Sequence, residues 1–568
     1  MPLYNQTETR SLVCEHSATV FPVIEPPFRL WFVDNFGGWN KARRQPTAID
    51  KQTFPHVLSA FEISFSIQLK TLITVDNAQI EEININISDL KAFKPEQIVK
   101  QNPVLNKLDT VHQFFAKLAN TPSTELVLDK LFALSHYQSI QAICDDLKLK
   151  SRSQASTTKE LSSLFELVDL GDDNDSDPQP DIKPAEQAIA AFNQIYSRTL
   201  AYIFSDEQFV QSERAWRGLH RFLSQVAQDT VCQFDIIDCT DDQMVETLSP
   251  FLQSTLDEQL PSIICSSFSC DYRLNKVSQL NEFARLCEQY QTPCIVNIEP
   301  GFFDSHSLAD FLGYSSFNNL MDQAKYDAWN AFRNKEHARW VNCIANQIIL
   351  RDAYDFERSQ LTIDQTSAST APGHWAVASL LVKSVDQTGW PCFIIGSSNM
   401  LNHDMPLASF NHQQYSEMMI PLSSWVDNQL AQDLANIGLI TLQCQSNREK
   451  IYINHIPTLK IAKRYNDQLA SIKSKLQNTM VYLIISSRLA NLLWLNKSNI
   501  FDDDHPSNIK DKLEVFLQHI IQDTGPQAKI DISLDVNSEQ PSKLICNVHL
   551  KPGKWILSGE EFDLSFSI

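Results

Sequence analysis

The amino-acid sequence predicts a mixed α/β protein, with sheets flanked by helices. Three observations carry that expectation. Two period-two apolar runs fall in the first hundred residues: Phe61, Ile63, Phe65, Ile67 and Leu69, then Ile83, Ile85 and Ile87. Alternation of this kind marks half-buried strands. Through the middle of the chain, short apolar runs (Cys232–Ile237, Ser262–Cys265 and Pro293–Ile298) alternate with helical segments, as in an α/β layer. A last alternation, Phe562, Leu564, Phe566 and Ile568, runs to the final residue.

The elements follow in order. In a first region, residues 1–150, the extended stretch Phe28–Phe36 ends in the turn Gly37-Gly38 and precedes the two alternating runs. Pro95 and Glu96 then open a helix: proline suits the first turn, and a carboxylate there suits the helix dipole. Helical patterning continues through Val111–Leu118 and Leu126–Leu147. Residues 151–184 differ in composition. Lys159–Leu170 is patterned for a short amphipathic helix through Leu161, Leu164, Phe165 and Val168, and an acidic run follows with Asp169, Asp172, Asp173, Asp175, Asp177 and Asp181 among prolines. Like charges repel and proline stiffens, so this is a linker. Its stretch from Gly171 to Lys183 reaches roughly 40 Å if extended.

A second region, residues 185–460, opens with helices to about Ala227 and holds the α/β layer. It continues with a helical segment around Asp322–Phe332, the run Arg339–Leu350 and a strand at Cys392–Gly396. The last region, 461–568, has a long helix from about Gln468 to Leu495, a second at Lys510–Ile521, and strands at Ile530–Val536, Lys543–Leu550 and Phe562–Ile568. Termini usually fray. An apolar alternation kept to the end is therefore expected to be paired, within the chain or with a neighbour.

Composition bounds the function. A chain of 568 residues with 43% hydrophobic and 10% aromatic content has material for two to four folded domains. The formal charge of -21 excludes nucleic acid, which requires cations to replace phosphate counterions, and an anionic membrane surface; it keeps free subunits apart in solution. Met1–Ser11 is polar, and the apolar stretch Met480–Leu495 is interrupted by Ser486, Ser487, Arg488 and Asn491, so neither a secretory signal nor a membrane-inserted segment is expected. Cysteines scattered singly in apolar runs fit a reducing compartment, the cytoplasm. Only 13 glycines occur, where about 7% is usual. Nucleotide-binding loops and nucleophile elbows lean on glycine's backbone freedom, so an enzyme is disfavoured.

The chemical motifs agree. The histidines show no H-E-x-x-H spacing, and the pairs Cys232/Cys239 and Cys265/Cys270 lack zinc spacing. Gly396-Ser397-Ser398 lacks the second glycine of a nucleophile elbow. Asp502-Asp503-Asp504 lacks the alternate spacing of a calcium loop and suits a helix start. No P-loop sequence occurs. No catalytic, cofactor-binding or metal residue is predicted. Trp216-Arg217 and Trp329 with Arg333 are the notable aromatic-cation groups; each is either an interface anchor or a helix residue packed on its own domain.

Ser212–Leu219 (Ser-Glu-Arg-Ala-Trp-Arg-Gly-Leu) resembles the E-x-A-W-R-G-L helix of the large subunit of the type VI secretion contractile sheath, the TssC/VipB family. Trp329–Trp340 is similar to that family's W-x-x-x-R-x-x-E-x-x-R-Y/W segment, Ile349-Leu350-Arg351 to its L-L-R, and Leu476–Leu489 to its Q-L-P-Y-x-L-x-x-S-R-L/F helix through Gln477, Tyr482, Ser487 and Arg488. The first region resembles the small subunit, TssB/VipA: Phe28–Gly38 looks like its strand ending in G-D-F-x-G, and Leu90–Leu108 like its D-F-x-P-E…Q-x-P-x-L-x-x-L stretch. Departures are Asp34-Asn35 for Gly-Asp, Ala376-Val377 for Gly-Asn after Trp375, and Leu256-Asp257-Glu258 where a glycine-rich segment is usual.

The resemblance implies a sheath-protomer fold with extended terminal strands for pairing between subunits. It also implies a structural subunit, a natural fusion of small and large subunits, that polymerises in the cytoplasm of a Gram-negative bacterium around an inner tube of the Hcp family, on baseplate proteins, and contracts to propel the tube. The alternative it leaves is a non-polymerising cap or adaptor of the same machine. The expected interface residues are Phe28, Leu30 and Phe32 near one end and Phe562, Leu564, Phe566 and Ile568 at the other, joined by Trp216, Arg217, Trp329 and Arg333. A ClpV-type unfoldase is expected to recognise Leu161, Leu164, Phe165 and Val168.

Overall fold

The computed structural model describes residues 8–14, 19–37, 45–73, 80–118, 123–150, 183–305, 307–314, 317–351, 355–356, 361–362, 370–399, 405–412, 415–501, 506–521, 529–536, 544–551 and 562–567. The chain is mixed α/β and divides into two compact units. One comprises Met1–Phe54, Ala215–Arg351 and Thr370–Ile568; the other comprises Pro55–Arg214 and Asp352–Ser369. These units cut across the sequence regions, because each is assembled from residues on both sides of the 151–184 linker.

In the first unit a seven-stranded sheet runs in the order Leu439–Ile440, Val341–Ile344, Cys294–Ile298, Ile263–Cys270, Arg29–Asp34, Gln233–Asp238, Thr47–Ala48. All neighbours are parallel except the last pair. Parallel strands covered on both faces read as unbroken apolar runs rather than alternations. Arg29–Asp34 and Cys294–Ile298 do so: five consecutive residues are buried in each. One layer of the core joins Trp31, Ile264 and Val296 of the sheet to Leu280 and Phe283 of helix Leu274–Gln289 and Leu248 of helix Met244–Ser254. Trp329 and Tyr326 extend the same cluster.

Two expectations change in detail. The long helix expected from Gln468 to Leu495 is two helices, Gln468–Gln477 and Met480–Leu495. Thr479 between them adopts extended backbone and bridges Pro457. The strand expected at Cys392–Gly396 reduces to a single bridge, Ile395 to Ile453. The run Arg339–Leu350 supplies strands Val341–Ile344 and Gln347–Ile349. The end of the chain forms an antiparallel sheet of Lys529–Val536, Leu544–Lys551 and Phe562–Ser567, in that order.

The second unit packs helices on the hairpin Ile63–Ile73/Ile80–Ile87, whose alternate residues Ile63, Phe65, Ile67, Ile83, Ile85 and Ile87 are buried. Helix Lys183–Phe204 lies against this hairpin and against helix Pro103–Lys117. Phe115 meets Phe192 edge-on at 5.5 Å, and the Tyr196 hydroxyl donates to Asp109 at 2.9 Å. The segment expected to be helical over Leu126–Leu147 is two helices, Thr124–Phe132 and 138–150.

Candidate functional site

Among the described residues no group of three His, Cys, Asp or Glu is placed to hold a metal, and no helix is long and apolar enough to cross a membrane. The feature that stands out is instead a seam, where the strand Arg29–Asp34 enters a sheet otherwise drawn from residues beyond 230, save the two-residue edge Thr47–Ala48. Leu30 sits between Phe234 and Ile263, and Phe32 between Ile236 and Cys265. Both edges of the strand are thus occupied by the chain's own strands. Phe28, Leu30 and Phe32 were expected to form a strand lent to a neighbouring copy; they are at most 1% exposed and enclosed within one chain.

Aromatic packing fixes the strand in depth. The Phe32 ring stacks on Trp375 at 4.8 Å and tilts against Phe222 at 4.7 Å, and Phe222 meets Phe234 edge-on at 5.0 Å. Trp216 donates its Nε1 hydrogen to the Phe36 carbonyl at 2.6 Å, and its ring meets Phe36 and Phe54 edge-on. Helix Glu207–Gln225 thereby clamps the end of the inserted strand. Two residues beyond Trp216, Gly218 has no side chain, and a Cβ there would lie 2.3 Å from Trp375 Nε1. The glycine of the W-R-G-L run is therefore a packing requirement: it lets Trp375 reach Phe32.

The start of the strand is held from helix Met480–Leu495 and its cap. Arg488 donates to the Pro26 carbonyl at 3.3 Å with its guanidinium 5.9 Å from the Phe28 ring centroid. Asn496 at the helix end both accepts from Ile24 N, at 2.7 Å, and donates to Ile24 O, at 2.9 Å. It pairs with the backbone as another strand would. His519 Nε2 lies 2.7 Å from Glu25 Oε1.

Charges at the seam are buried and shifted. Burial raises the Asp34 carboxyl to about 7, with the nearby Asp241 and Asp238 adding to the rise and hydrogen bonds from Ser267 and Asn35 opposing it. Asp235 is raised by burial as well, opposed by Arg29 at 3.6 Å. The arrangement, a strand paired on both edges with these carboxyls inside, is a joint.

The other expected interface residues fall apart from the seam. Trp329 is fully buried against Phe302 at 5.1 Å. Arg333, held down to about 10 by burial, donates to the Leu459 carbonyl at 3.0 Å. Arg217 is half-buried on its helix. Phe562, Leu564 and Phe566 lie on the last strand of the C-terminal sheet. Ile568, Leu161, Leu164, Phe165 and Val168 lie outside the described residues. Sequence reasoning did not single out Phe222, Phe234 or Asn496; an Asn at a helix end carries no mark of the strand it will bind.

Comparison with known proteins sets this geometry in a family. The profile described as "Type VI secretion system, VipA, VC_A0107 or Hcp2" matches residues 24–146, and that described as "EvpB/VC_A0108, tail sheath N-terminal domain" (VipB) matches residues 186–460. A curated relative, the type VI secretion system sheath protein TssC1 of Pseudomonas aeruginosa strain PAO1, is 21% identical over 366 residues, covering 59% of this chain and 73% of its own length. Solved structures that match include the anti-feeding prophage baseplate (11% identity, TM-score 0.35, 61% of this chain and 80% of that one). The anti-feeding prophage sheath in its contracted state also matches (10% identity, TM-score 0.33, 61% and 77%). So does the sheath tail protein Lin1278 of Listeria innocua (12% identity, TM-score 0.29, 57% and 59%). These families are structural sheath proteins, and the chain is accordingly no enzyme. The seam is where the two family regions meet in one polypeptide: the chain belongs to the type VI secretion sheath families, as a fusion of a VipA region with a VipB region.

Proposed function

We propose that this chain is a sheath subunit, carrying both a small and a large half, that polymerises around an inner tube and contracts to propel it. The observation that carries the reading is the pair of family regions, in the order small then large, interlocked by a strand of the first inside the sheet of the second. A fused chain fixes the two halves at one copy each. Phe28, Leu30, Phe32 and Trp216 then serve the joint between halves, and Trp329 and Arg333 brace the large half. The last strand, with Phe562, Leu564 and Phe566, ends its sheet with one edge not paired among the described residues, which suits pairing with a neighbouring copy. Its partners are further copies of itself, an Hcp-family tube and a baseplate, in the cytoplasm of a Gram-negative cell.

Negative-stain microscopy of the purified protein tests this. Long hollow tubes are expected; single particles at every concentration would instead make the chain a cap or adaptor. Recognition of Leu161, Leu164, Phe165 and Val168 by a ClpV-type unfoldase is a separate proposal. Deleting Lys159–Leu170 should abolish capture of the unfoldase in a pull-down, and unchanged capture would sink it.

A further inference from the structure

Beside helix Met480–Leu495, within the first unit, lies a groove of about 1200 Å³. Its walls come from Pro26–Pro27 ahead of the inserted strand, from the stretch 257–262, from the loop after helix Leu274–Gln289, from Arg339–Trp340 and from the helix itself. The chain as a whole carries 68 acidic against 47 basic side chains. The groove inverts that balance: Arg339, Arg488 and Lys497 line it against a single carboxylate, Asp257.

That carboxylate is engaged elsewhere. Asp257 Oδ2 accepts from Trp494 Nε1 at 2.9 Å, and the Lys497 ammonium lies 3.3 Å over the Trp494 ring. Neither guanidinium has an ion-pair partner among the described residues. Arg488 donates to the Pro26 carbonyl, and Arg339 Nη2 to the Gln477 carbonyl at 3.3 Å. Arg339 Nε and Ser486 Oγ are buried with no hydrogen-bond partner. A guanidinium carries five donors in a fork matched to a carboxylate. Leaving buried donors unmade is costly, and two such donors beside two unpaired arginines are unusual for a native interior. Trp494, 55% exposed on the rim, supplies an apolar ledge. The ligand this combination takes is a peptide bearing several carboxylates next to apolar side chains.

We infer that the groove receives the aspartate-rich segment 169–181 of a second copy of this chain. Six aspartates fall in that segment, directly after the apolar residues Leu161, Leu164, Phe165 and Val168, so charge and apolarity match the groove in kind. The stretch between the described residues 150 and 183 spans about 100 Å if extended, ample reach to a neighbour. The inference rests on the self-assembly reading above and adds a contact that only a fused chain possesses: the tether joining its halves also latches one protomer to the next.

A fluorescein-labelled peptide of residues 164–182, titrated by anisotropy against the full-length chain with its six linker aspartates changed to asparagine, tests this. The receiving chain then has no competing segment. Saturable binding is expected, weakened at least tenfold by Arg339→Gln with Arg488→Gln and likewise by replacing the peptide's aspartates with asparagine. It should weaken further as salt is raised. Should the double variant lose its native circular dichroism, Lys497→Gln on the exposed rim and the asparagine peptide, which leaves the groove intact, give the same reading. Equal binding of the asparagine peptide, or binding of inorganic phosphate with none of the peptide, would overturn the inference. Tubes formed by a wild-type chain whose peptide does not bind would sink this latch alone and leave the sheath reading standing. Tight peptide binding without tubes would do the reverse.

Discussion

Cutting the chain within the linker should leave its two pieces bound, and the size of the effect follows from the seam. With a protease site inserted between Gln179 and Pro180, cleavage separates the region carrying strand Arg29–Asp34 and the edge Thr47–Ala48 from the region carrying the other five strands of the sheet. Phe28, Leu30, Trp31, Phe32, Val33 and Phe36 are each at most 2% exposed. At roughly 1.5–3 kcal/mol per buried large apolar side chain, these alone contribute on the order of 9–18 kcal/mol gross. Realistic unfolded references lower that by about 10–40%. The tether contributes an effective concentration in roughly the millimolar range. Against micromolar protein that is about a thousandfold, or about 4 kcal/mol. Burial exceeds the tether, so the pieces stay together at micromolar concentration.

Size-exclusion chromatography with light scattering, beside a denaturing gel that proves the cut, reads the outcome. The cut protein is expected to elute where the uncut chain does, with both pieces in the same fractions. Phe32→Ala should cost about 3–5 kcal/mol and make the cut complex dissociate on dilution while the uncut variant stays whole. Two separate peaks from the cut wild type at micromolar concentration would refute the reasoning, because they would mean that the strand is held by its tether and not by its slot.

Three further outcomes follow from single side chains. Gly218→Ala drives a Cβ into Trp375, which Phe32 and Phe222 hold in place; a loss of about 1–3 kcal/mol in urea unfolding is expected, and an unchanged midpoint would show that Trp375 yields freely. Trp216→Phe removes the indole hydrogen bond to the Phe36 carbonyl and should cost about 0.5–1.5 kcal/mol. Asp34, raised from 3.8 to about 7, binds its proton more tightly when folded. Its contribution is therefore fully present below pH 4 and lost as pH rises through 7. Asp34→Asn should accordingly stabilise the chain at pH 8, by up to about 4 kcal/mol, and not at pH 4; equal changes at both would exclude burial of the carboxylate as the cause.

How much of this was legible in the sequence depends on how local each cause is. The hairpin Ile63–Ile73/Ile80–Ile87 was, because alternation over many residues has one reading. The run Leu-Trp-Phe-Val at 30–33 signalled an extended apolar segment but could not name its neighbours: partners some 200 residues away leave no mark on local pattern. That is why Phe28, Leu30 and Phe32 read as a segment for lending, when an enclosed strand and a lent one present the same apolar face. The break at Thr479 was invisible for a related reason. Helical propensity on either side is good, and the extended residue is set by its bridge to Pro457. Gly218 stood in the W-R-G-L run, yet the reason for it became visible only with Trp375 against it.

The same numbers bear on why the halves share one chain. At equilibrium the tether is redundant with the buried strand, so its effect is felt before the slot closes. Without Arg29–Asp34, the strands Gln233–Asp238 and Ile263–Cys270 would each present an unpaired parallel edge, and Phe222, Phe234 and Trp375 an uncovered apolar floor. Exposed edges of that kind invite pairing with the wrong chain, and parallel pairings of long sequence separation form slowly. A strand tethered in the millimolar range meets the slot far sooner than one arriving from dilute solution. Fusion therefore guards the least protected stage of folding.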